Sequence, residues 1–567
     1  MNVDEMQKKL SQKAAKAPEH PFEDLYSLLC HPLWLRVAHH SVNTNQGRET
    51  AGIDGESMSN FNGNLESNLE GLREQLKART FEPLPVRRVY IPKANGKKRP
   101  LGIPGIRDRI VQEALRMILE PIWEADFSLR SDGFRPNRST YDAIAYLNSQ
   151  LTGISGAGYQ WVIEGDIASY FDTIPQRRLM KAVKKRVADR NIRELLWQFL
   201  RAGVMYQGEV QETITGTPQG GIVSPLLANI YLHELDKYME STHLDLSKWQ
   251  REQRRKQGKG NFLYSRYADD FVVLCNGTKA EALGMKKALK DVLDHMGLTL
   301  SEEKTKVTHI TEGFQFLGYW IERSIGTRGK MVPKVHIPEG AIKKFRHKVR
   351  EITAPSTTHE STNAKMTALN QLTKGWCSYY RVTGSPSVIF KKLRPELYWG
   401  FAHWLGRKYK RSMPRILREF RRGESLGAKT RILTMPTELK ARKLLMKTWH
   451  NPYTDKEEVG KEKDRIKRES QFSYDNLWTG QDHRQMRMDL REEMMLRKGT
   501  VCAIQGPDCL SQGKPLHPSE VQMDHIILRA KFKDPQEADS MDNLQPVCTP
   551  CHRAKTKTDL KVLRRVR

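Results

Sequence analysis

Two adjacent acids, Asp269 and Asp270, sit between two short apolar runs, and no other feature constrains the fold of this chain as tightly. Phe262-Leu263-Tyr264 comes before them and Phe271-Val272-Val273-Leu274-Cys275 after. Short β-rich runs around a tight polar turn predict a hairpin, here with Tyr267-Ala268-Asp269-Asp270 at its tip. Neighbouring carboxylates repel, so a fold that presents them together usually neutralises them with a cation. A bare Asp-Asp pair is commonly only a surface turn, but a third acid upstream argues for more. The run Trp161-Val162-Ile163-Glu164-Gly165-Asp166-Ile167 has the character of a strand that ends at an acid. If this strand lies beside the hairpin, Asp166 and Asp269 face each other across a gap the size of a divalent ion. Mg²⁺ suits such a site, because it takes few carboxylates and leaves positions open for phosphate oxygens.

At 567 residues the chain has room for three or four domains. Its formal net charge of +29 points to a polyanionic partner. The charge is concentrated: residues 341–450 hold 25 Lys and Arg against 6 Asp and Glu. Within that stretch, Ile342 to Ile352 and Met366 to Leu372 show helical spacing with cations on the opposite face. Aromatics follow among the cations, at Trp376, Tyr379, Tyr380, Tyr398, Trp399, Phe401 and Trp404. Such interleaving fits RNA, where rings stack on bases and cations meet phosphate. It also fits a helical core, and Trp376 is expected in the core. From about Asp455 to Ser470 the chain turns charged and apolar-poor, which predicts a linker or an exposed helix. There is no internal repeat.

No run approaches the ~18 apolar residues that crossing a membrane requires. The opening residues, Met1 to Gln7, carry early acids and no apolar segment of signal-peptide type. Cys30, Cys275 and Cys377 are scattered in a way that suits free thiols in a reducing compartment. A bacterial cytoplasmic protein is therefore expected, with no membrane partner. The last seventy residues differ: Cys502 and Cys509 form one pair, and Cys548 and Cys551 form a Cys-x2-Cys knuckle. Four such cysteines predict structural Zn²⁺ in a tetrahedron of thiolates, although six intervening residues is wide for the first pair. A module this short, with few large apolar side chains, also needs a staple.

From here the chain resembles the reverse transcriptases, and most closely the proteins encoded by group II introns. Ile91 to Pro104, Gly133 to Ser139, Asp166 to Phe171, Thr217 to Gly221 with Ser224-Pro225-Leu226, Tyr267 to Asp270, Gly297 to Lys304 and Phe316 to Tyr319 match the blocks of that family in its order. The resemblance implies that Asp166, Asp269 and Asp270 ligate two Mg²⁺ ions at the polymerase centre. It implies that Phe171 lies under the sugar of the incoming dNTP and excludes a 2′-hydroxyl, and that Gln219 helps hold that nucleotide. Lys93 and Arg99 would close on its triphosphate, with Lys304 nearby. The basic stretch resembles the thumb and maturase domain of these proteins, which binds intron RNA and assists splicing.

Met523-Asp524-His525-Ile526-Ile527, Asp542-Asn543-Leu544 and Cys551-His552 resemble the HNH nucleases, whose ββα-metal fold is here interleaved with the cysteine pairs. The resemblance implies His525 as general base, Asn543 as its orienting partner or a helper at the metal, and Asp524 with His552 holding Mg²⁺ or another divalent ion. His552 could instead compete as a zinc ligand, and a zinc ribbon that only binds DNA is the plainer alternative.

The expected fold class is α+β and multidomain: a right-hand polymerase with an antiparallel palm sheet, a helical thumb, and a small zinc-stapled HNH domain. The expected boundaries are 1–335 for fingers and palm, 336–450 for thumb and maturase, 451–495 for a DNA-binding or linker region, and 496–567 for the nuclease. The expected function is RNA-directed DNA synthesis by target-primed reverse transcription, assisted splicing and target-DNA nicking. Its expected partners are intron RNA in a ribonucleoprotein, target DNA and dNTPs. The alternatives are a splicing cofactor with idle catalytic sites, or another bacterial reverse transcriptase of the retron or diversity-generating kind.

Overall fold

The structure is a computed structural model that describes residues 2–92, 96, 98–152, 158–206, 209–211, 215–217, 220–326, 331–428, 431–470, 494, 495, 498–516, 520–527 and 540–565. The chain divides into two compact units, Met1–Gln471 and Phe472–Arg567.

The first unit opens with helices α1 (Val3–Lys16), α2 (Pro32–Asn43) and α3 (Leu65–Ala78). Asn2 caps α1 by accepting from the Asp4 N–H at 3.0 Å. Strands β1 (Val86–Pro92) and β2 (Lys98–Ile103) pair antiparallel and lead into α4 (Ile106–Glu124). Helix α4 is buried on nearly every face, as expected of a helix around which others pack. Helix α5 (Thr140–Leu151) follows, set by a reciprocal capping box between Ser139 and Asp142. Then come β3 (Trp161–Gly165), α6 (Gln176–Lys184), α7 (Arg190–Arg201), β4 (Val204–Tyr206), β5 (Glu209–Gln211) and α8 (Ser224–Met239). β4 runs parallel to β1 and antiparallel to β5, which extends the first hairpin into a four-stranded sheet.

The central sheet has the order β6-β7-β3-β8, with β6 (Phe262–Tyr267), β7 (Asp270–Cys275) and β8 (Lys306–His309). All its pairings are antiparallel. Alternate residues of β3 and β7 serve two cores, which is why those two strands are largely apolar. Ile163, Phe271 and Val273 face a core shared with α4, α8 and α9 (Lys279–Met296). Val162, Leu263, Val272 and Leu274 face a second core with Ile144 and Leu147 of α5. Helix α9 starts at a Thr278–Glu281 capping box and stops at Gly297, whose φ of +74 admits the left-handed turn.

A three-stranded antiparallel sheet of β9 (Phe314–Phe316), β10 (Tyr319–Ile325) and β11 (Met331–His336) leads to α10 (Glu339–Ile352), α11 (Thr362–Tyr380), α12 (Pro386–Tyr409) and α13 (Met413–Phe420). These helices close on Phe345, Leu369, Phe401 and Trp404. The two helical patterns of the basic stretch fall within α10 and α11. Trp376 packs against Phe345 and Tyr380, with ring centres 4.9 and 4.8 Å apart, as the core reading of that residue requires. Short strands β12 (Arg421–Arg422), β13 (Ser425–Ala428) and β14 (Arg431–Ile432) follow. Residues 441–455 then run without regular structure before α14 (Lys456–Ser470), the charged stretch expected to be a linker or helix. The second unit pairs β15 (Val521–His525) antiparallel with β16 (Leu544–Cys548), followed by α15 (Thr549–Arg565).

Candidate active site

The hairpin closes where Tyr267 pairs with Asp270, leaving Ala268 and Asp269 as a two-residue loop. Ala268 takes φ +57, a left-handed value that a side chain disfavours. Two contacts hold it there. The backbone of Gly133 lies so close that a Cβ added to it would meet the Ala268 nitrogen at 2.3 Å. From below, Arg266 donates to the Ala268 carbonyl at 2.9 Å and to Asn229 at 3.1 Å, while Asn229 donates to the Gly133 carbonyl at 2.7 Å. Arg266 and Asp236 form a fully buried ion pair, which Tyr264 joins by donating to Asp236 at 3.0 Å. Burial opposes the charge on both, yet each partner holds the other ionised: Asp236 lies well below the usual carboxylate range and Arg266 above its own.

Sequence reasoning missed this bracket. One signal was available, because Phe262, Tyr264 and Arg266 share a strand face, and Tyr264 is in the core. An arginine on an inward face implies a buried partner.

β3 lies beside β7 with Gly165 opposite Phe271, so the expected adjacency of Asp166 and the Asp269-Asp270 turn is present. Gly165 is required here: a Cβ would meet the Phe271 ring at 2.1 Å. The next segment pairs with Thr299 to Ser301, Ala168 N–H donating to Thr299 at 2.9 Å and Ser301 N–H to the Asp166 carbonyl at 2.8 Å. This pairing delivers Lys304, whose Nζ lies 2.7 Å from Asp166 Oδ2. Burial, then the Asp269 and Asp166 charges, push Asp270 up to about 7. Asp269 is also raised, by burial and Asp166, against the pull of Arg99 and Lys304. Three carboxylates brought together in this way suit a hard divalent cation.

Phe171 is buried, edge-on to the exposed ring of Phe134 at 6.1 Å. The Thr217 N–H donates to the Phe171 carbonyl at 2.7 Å, and Gly220, at φ +118, lies where a Cβ would meet the Gly102 carbonyl at 2.1 Å. Thr217 thus lies against Phe171, and Gly220 against strand β2, which carries Arg99. Lys93 and Gln219 lie outside the described residues.

In the second unit, Cys502, Cys509, Cys548 and Cys551 are buried with their sulfurs all within 4.8 Å of one another. Among the described residues this is the one group of three or more His, Cys, Asp or Glu side chains gathered so closely. The Cys548 N–H lies 3.4 Å from the Cys502 sulfur, and the Gly506 N–H lies 3.4 Å from that of Cys551. Burial would raise Cys502, but backbone N–H donors outweigh it and bring the thiol down to about 7. Such a donor set fits a soft, tetrahedral ion. His552 stands apart from the four sulfurs, its Nε2 3.7 Å from Asp524 Oδ1. Asp524 also meets Lys555 at 3.1 Å and Gln545 at 3.0 Å. Asn543 brackets the residues after His525: its Oδ1 accepts from the Ile527 N–H at 2.8 Å, and its Nδ2 donates to the Ile527 carbonyl at 3.1 Å.

Carboxylates gathered where two adjacent antiparallel strands end, beside a basic helical region and with a separate four-cysteine module, are the arrangement of a nucleic-acid polymerase joined to a small cysteine-rich domain. The reverse transcriptase (RNA-dependent DNA polymerase) family matches residues 91–321, the group II intron maturase-specific domain 342–421, and the HNH endonuclease family 507–558. The protein YkfC of Escherichia coli is 41% identical over 361 residues, covering 61% of this chain and 95% of that protein. The group II intron-encoded protein LtrA of Lactococcus lactis is 35% identical over 367 residues, covering 56% of this chain and 60% of LtrA. The chain belongs to the group II intron-encoded proteins that unite reverse transcriptase, maturase and HNH endonuclease domains. It is an RNA-directed DNA polymerase, a maturase and a DNA endonuclease in one polypeptide. Among the described residues no helix is long and apolar enough to cross a membrane.

Proposed function

We propose that this protein copies intron RNA into DNA by target-primed reverse transcription, using a 3′-hydroxyl that its own endonuclease exposes. The observation that carries this reading is the placement of Asp166 beside the Asp269-Asp270 turn at the ends of β3 and β7. These carboxylates fit two Mg²⁺ ions, which when bound supply Lewis acidity toward the primer hydroxyl and the nucleotide phosphates. Arg99 and Lys304, whose charges act on the same acids, are assigned with Lys93 to the triphosphate of the dNTP. Phe171 is assigned to the sugar and Gln219 to holding the nucleotide.

In the second unit His525 accepts the proton of the attacking water. Asp524 and His552 hold a divalent ion, Mg²⁺ or another, and Asn543, which braces the backbone at Ile527, orients the base. The four thiolates hold structural Zn²⁺. On this reading residues 1–335 are the fingers and palm of a right hand, and 336–450 its RNA-binding thumb and maturase domain. Residues 451–495 form a DNA-binding or linker region, and 496–567 form the nuclease. Intron RNA, target DNA and dNTPs are the partners, and the bacterial relatives support a bacterial cytoplasmic setting.

The test separates the sites. Asp269→Ala is expected to abolish primer extension on an RNA template while leaving assisted splicing and DNA nicking intact. His525→Ala is expected to abolish only the nick. Loss of splicing and extension together in Asp269→Ala would count against separate sites, and wild-type nicking by His525→Ala would remove His525 as the base. A wild-type protein that splices but neither extends nor nicks would favour the splicing-cofactor alternative.

A further inference from the structure

After the helical bundle the chain doubles back along the first unit, and the Arg442 N–H donates to the Arg381 carbonyl at the end of α11, at 2.7 Å. Farther on, Trp449 lies under the Arg138 guanidinium, 4.0 Å from ring centre to cation. Between this segment, the start of α5 and helix α14 is a cavity of about 220 Å³. Val382, Leu444 and Ile466 give it an aliphatic wall, and Arg381, Arg442, Lys443 and Lys463 stand around it.

The charges in this lining do not balance. Its carboxylate, Asp142, is already committed to the cap of α5, accepting from the Ser139 N–H and hydroxyl at 2.8 Å each. Among the described residues no carboxylate pairs with Arg381, Arg442, Lys443 or Lys463. Burial and the nearby Arg442 charge both hold the Arg381 guanidinium below its usual range. Half-buried like charges without a counter-ion oppose folding, and a ligand that brings negative charge relieves them. Inorganic phosphate would answer the charge but has no use for an aliphatic wall. A nucleotide uses both, since a base face packs on apolar side chains and a phosphodiester matches guanidinium geometry. The size admits one unstacked nucleotide rather than a duplex. Arg381 falls within the maturase-specific match, which favours RNA over DNA as its source.

We propose that this cavity captures one unstacked nucleotide of single-stranded intron RNA, its base against Val382, Leu444 and Ile466 and its phosphates on Arg381 and Arg442. This rests on the reading of the protein as a binder of intron RNA, and it adds a place and a mode of capture. The full-length protein is titrated with labelled single-stranded RNA and with labelled duplex DNA of equal length, over a range of salt. Arg442→Gln is expected to weaken RNA binding about tenfold, whereas Lys391→Gln, the loss of one exposed cation on α12, changes it by about twofold. Leu444→Trp fills the aliphatic part without altering charge, so it should weaken RNA binding with the salt slope unchanged. Duplex DNA affinity should be the same for wild type and Leu444→Trp.

The proposal is overturned if Arg442→Gln is no worse than Lys391→Gln, or if Leu444→Trp, folded by its melting curve, binds RNA like the wild type. A parallel fall in duplex affinity overturns it too, in favour of a DNA groove. A wild-type protein that neither binds the RNA nor extends a primer on it would remove the parent reading, and that control precedes any variant.

Discussion

Ala268 takes its left-handed φ of +57 against a neighbour that leaves it nowhere to go. The atoms a Cβ on Gly133 would strike, the Ala268 nitrogen at 2.3 Å and the Tyr267 carbonyl carbon at 2.9 Å, are backbone, so no rotamer change relieves the clash. Gly133→Ala must therefore move the turn that carries Asp269. Catalysis that depends on position is sensitive to displacements of this size, and the expected loss of primer extension is on the order of a hundredfold. Nicking should be unaffected, and the loss should persist in protein that is folded by circular dichroism. Extension at the wild-type rate would show that the carboxylates tolerate a displaced turn. The acids themselves were legible in the sequence, because adjacent carboxylates between apolar runs have few uses. The role of Gly133 was not, because it depends on which backbone packs against it, and nothing local to residue 133 records that.

Elements with their own start and stop signals were the most legible. The hairpin β6–β7 and helices α10 and α11 follow from periodicity. The strand expected over Trp161 to Ile167 ends at Gly165, before its acid, and Ile167 instead makes an isolated bridge to Leu300. What periodicity cannot show is a polar group enclosed by packing between elements. Asp108 lies in the first turn of α4, where acids are ordinarily stabilised by helix N–H groups. Here it is buried beneath the approach to β1, accepting from the Leu84 N–H at 3.2 Å. Burial, reinforced by Asp54 and opposed by the Leu84 N–H, pushes it up to about 7. The folded state thus holds a proton that the unfolded chain releases near pH 4. The sign follows from linkage: stability from this group is full below about pH 4 and declines as pH rises toward about 7, then levels off. Asp108→Asn keeps an acceptor for Leu84 and removes the proton. Urea unfolding at pH 8 should find the variant more stable on the order of 1–2 kcal/mol, with a smaller advantage at pH 5. An equal difference at both values would mean that Asp108 is already ionised in the fold.

At the scale of the whole molecule, the sequence disclosed two chemistries and the basic region between them, because each depends on residue type and spacing. It did not disclose the course of residues 441–455, which carry no periodicity and are held by scattered contacts such as Tyr453 with Glu120. The two units also differ in what holds them together. The first has extensive apolar cores. In the second, the described core residues are few: Met494, Val521 and Leu544 in one group, and Val547 with the four cysteines in another. A module this short, with few large apolar side chains in its sequence, relies on a cross-link, and binding free energy at a thiolate site becomes folding free energy. β16 ends at Cys548 and Cys551 lies in the first turn of α15, so loss of a bound ion would free both elements that flank Asp524 and His525. Cys548→Ser, or treatment of the wild type with a strong chelator followed by Mg²⁺, should therefore abolish nicking and open the second unit to protease. Zinc content should fall from about one ion per chain to none. Primer extension should stay within about twofold of wild type, since the acidic centre belongs to a unit with its own core. Nicking that survived removal of the zinc would mean that β15, β16 and α15 hold their positions by packing alone.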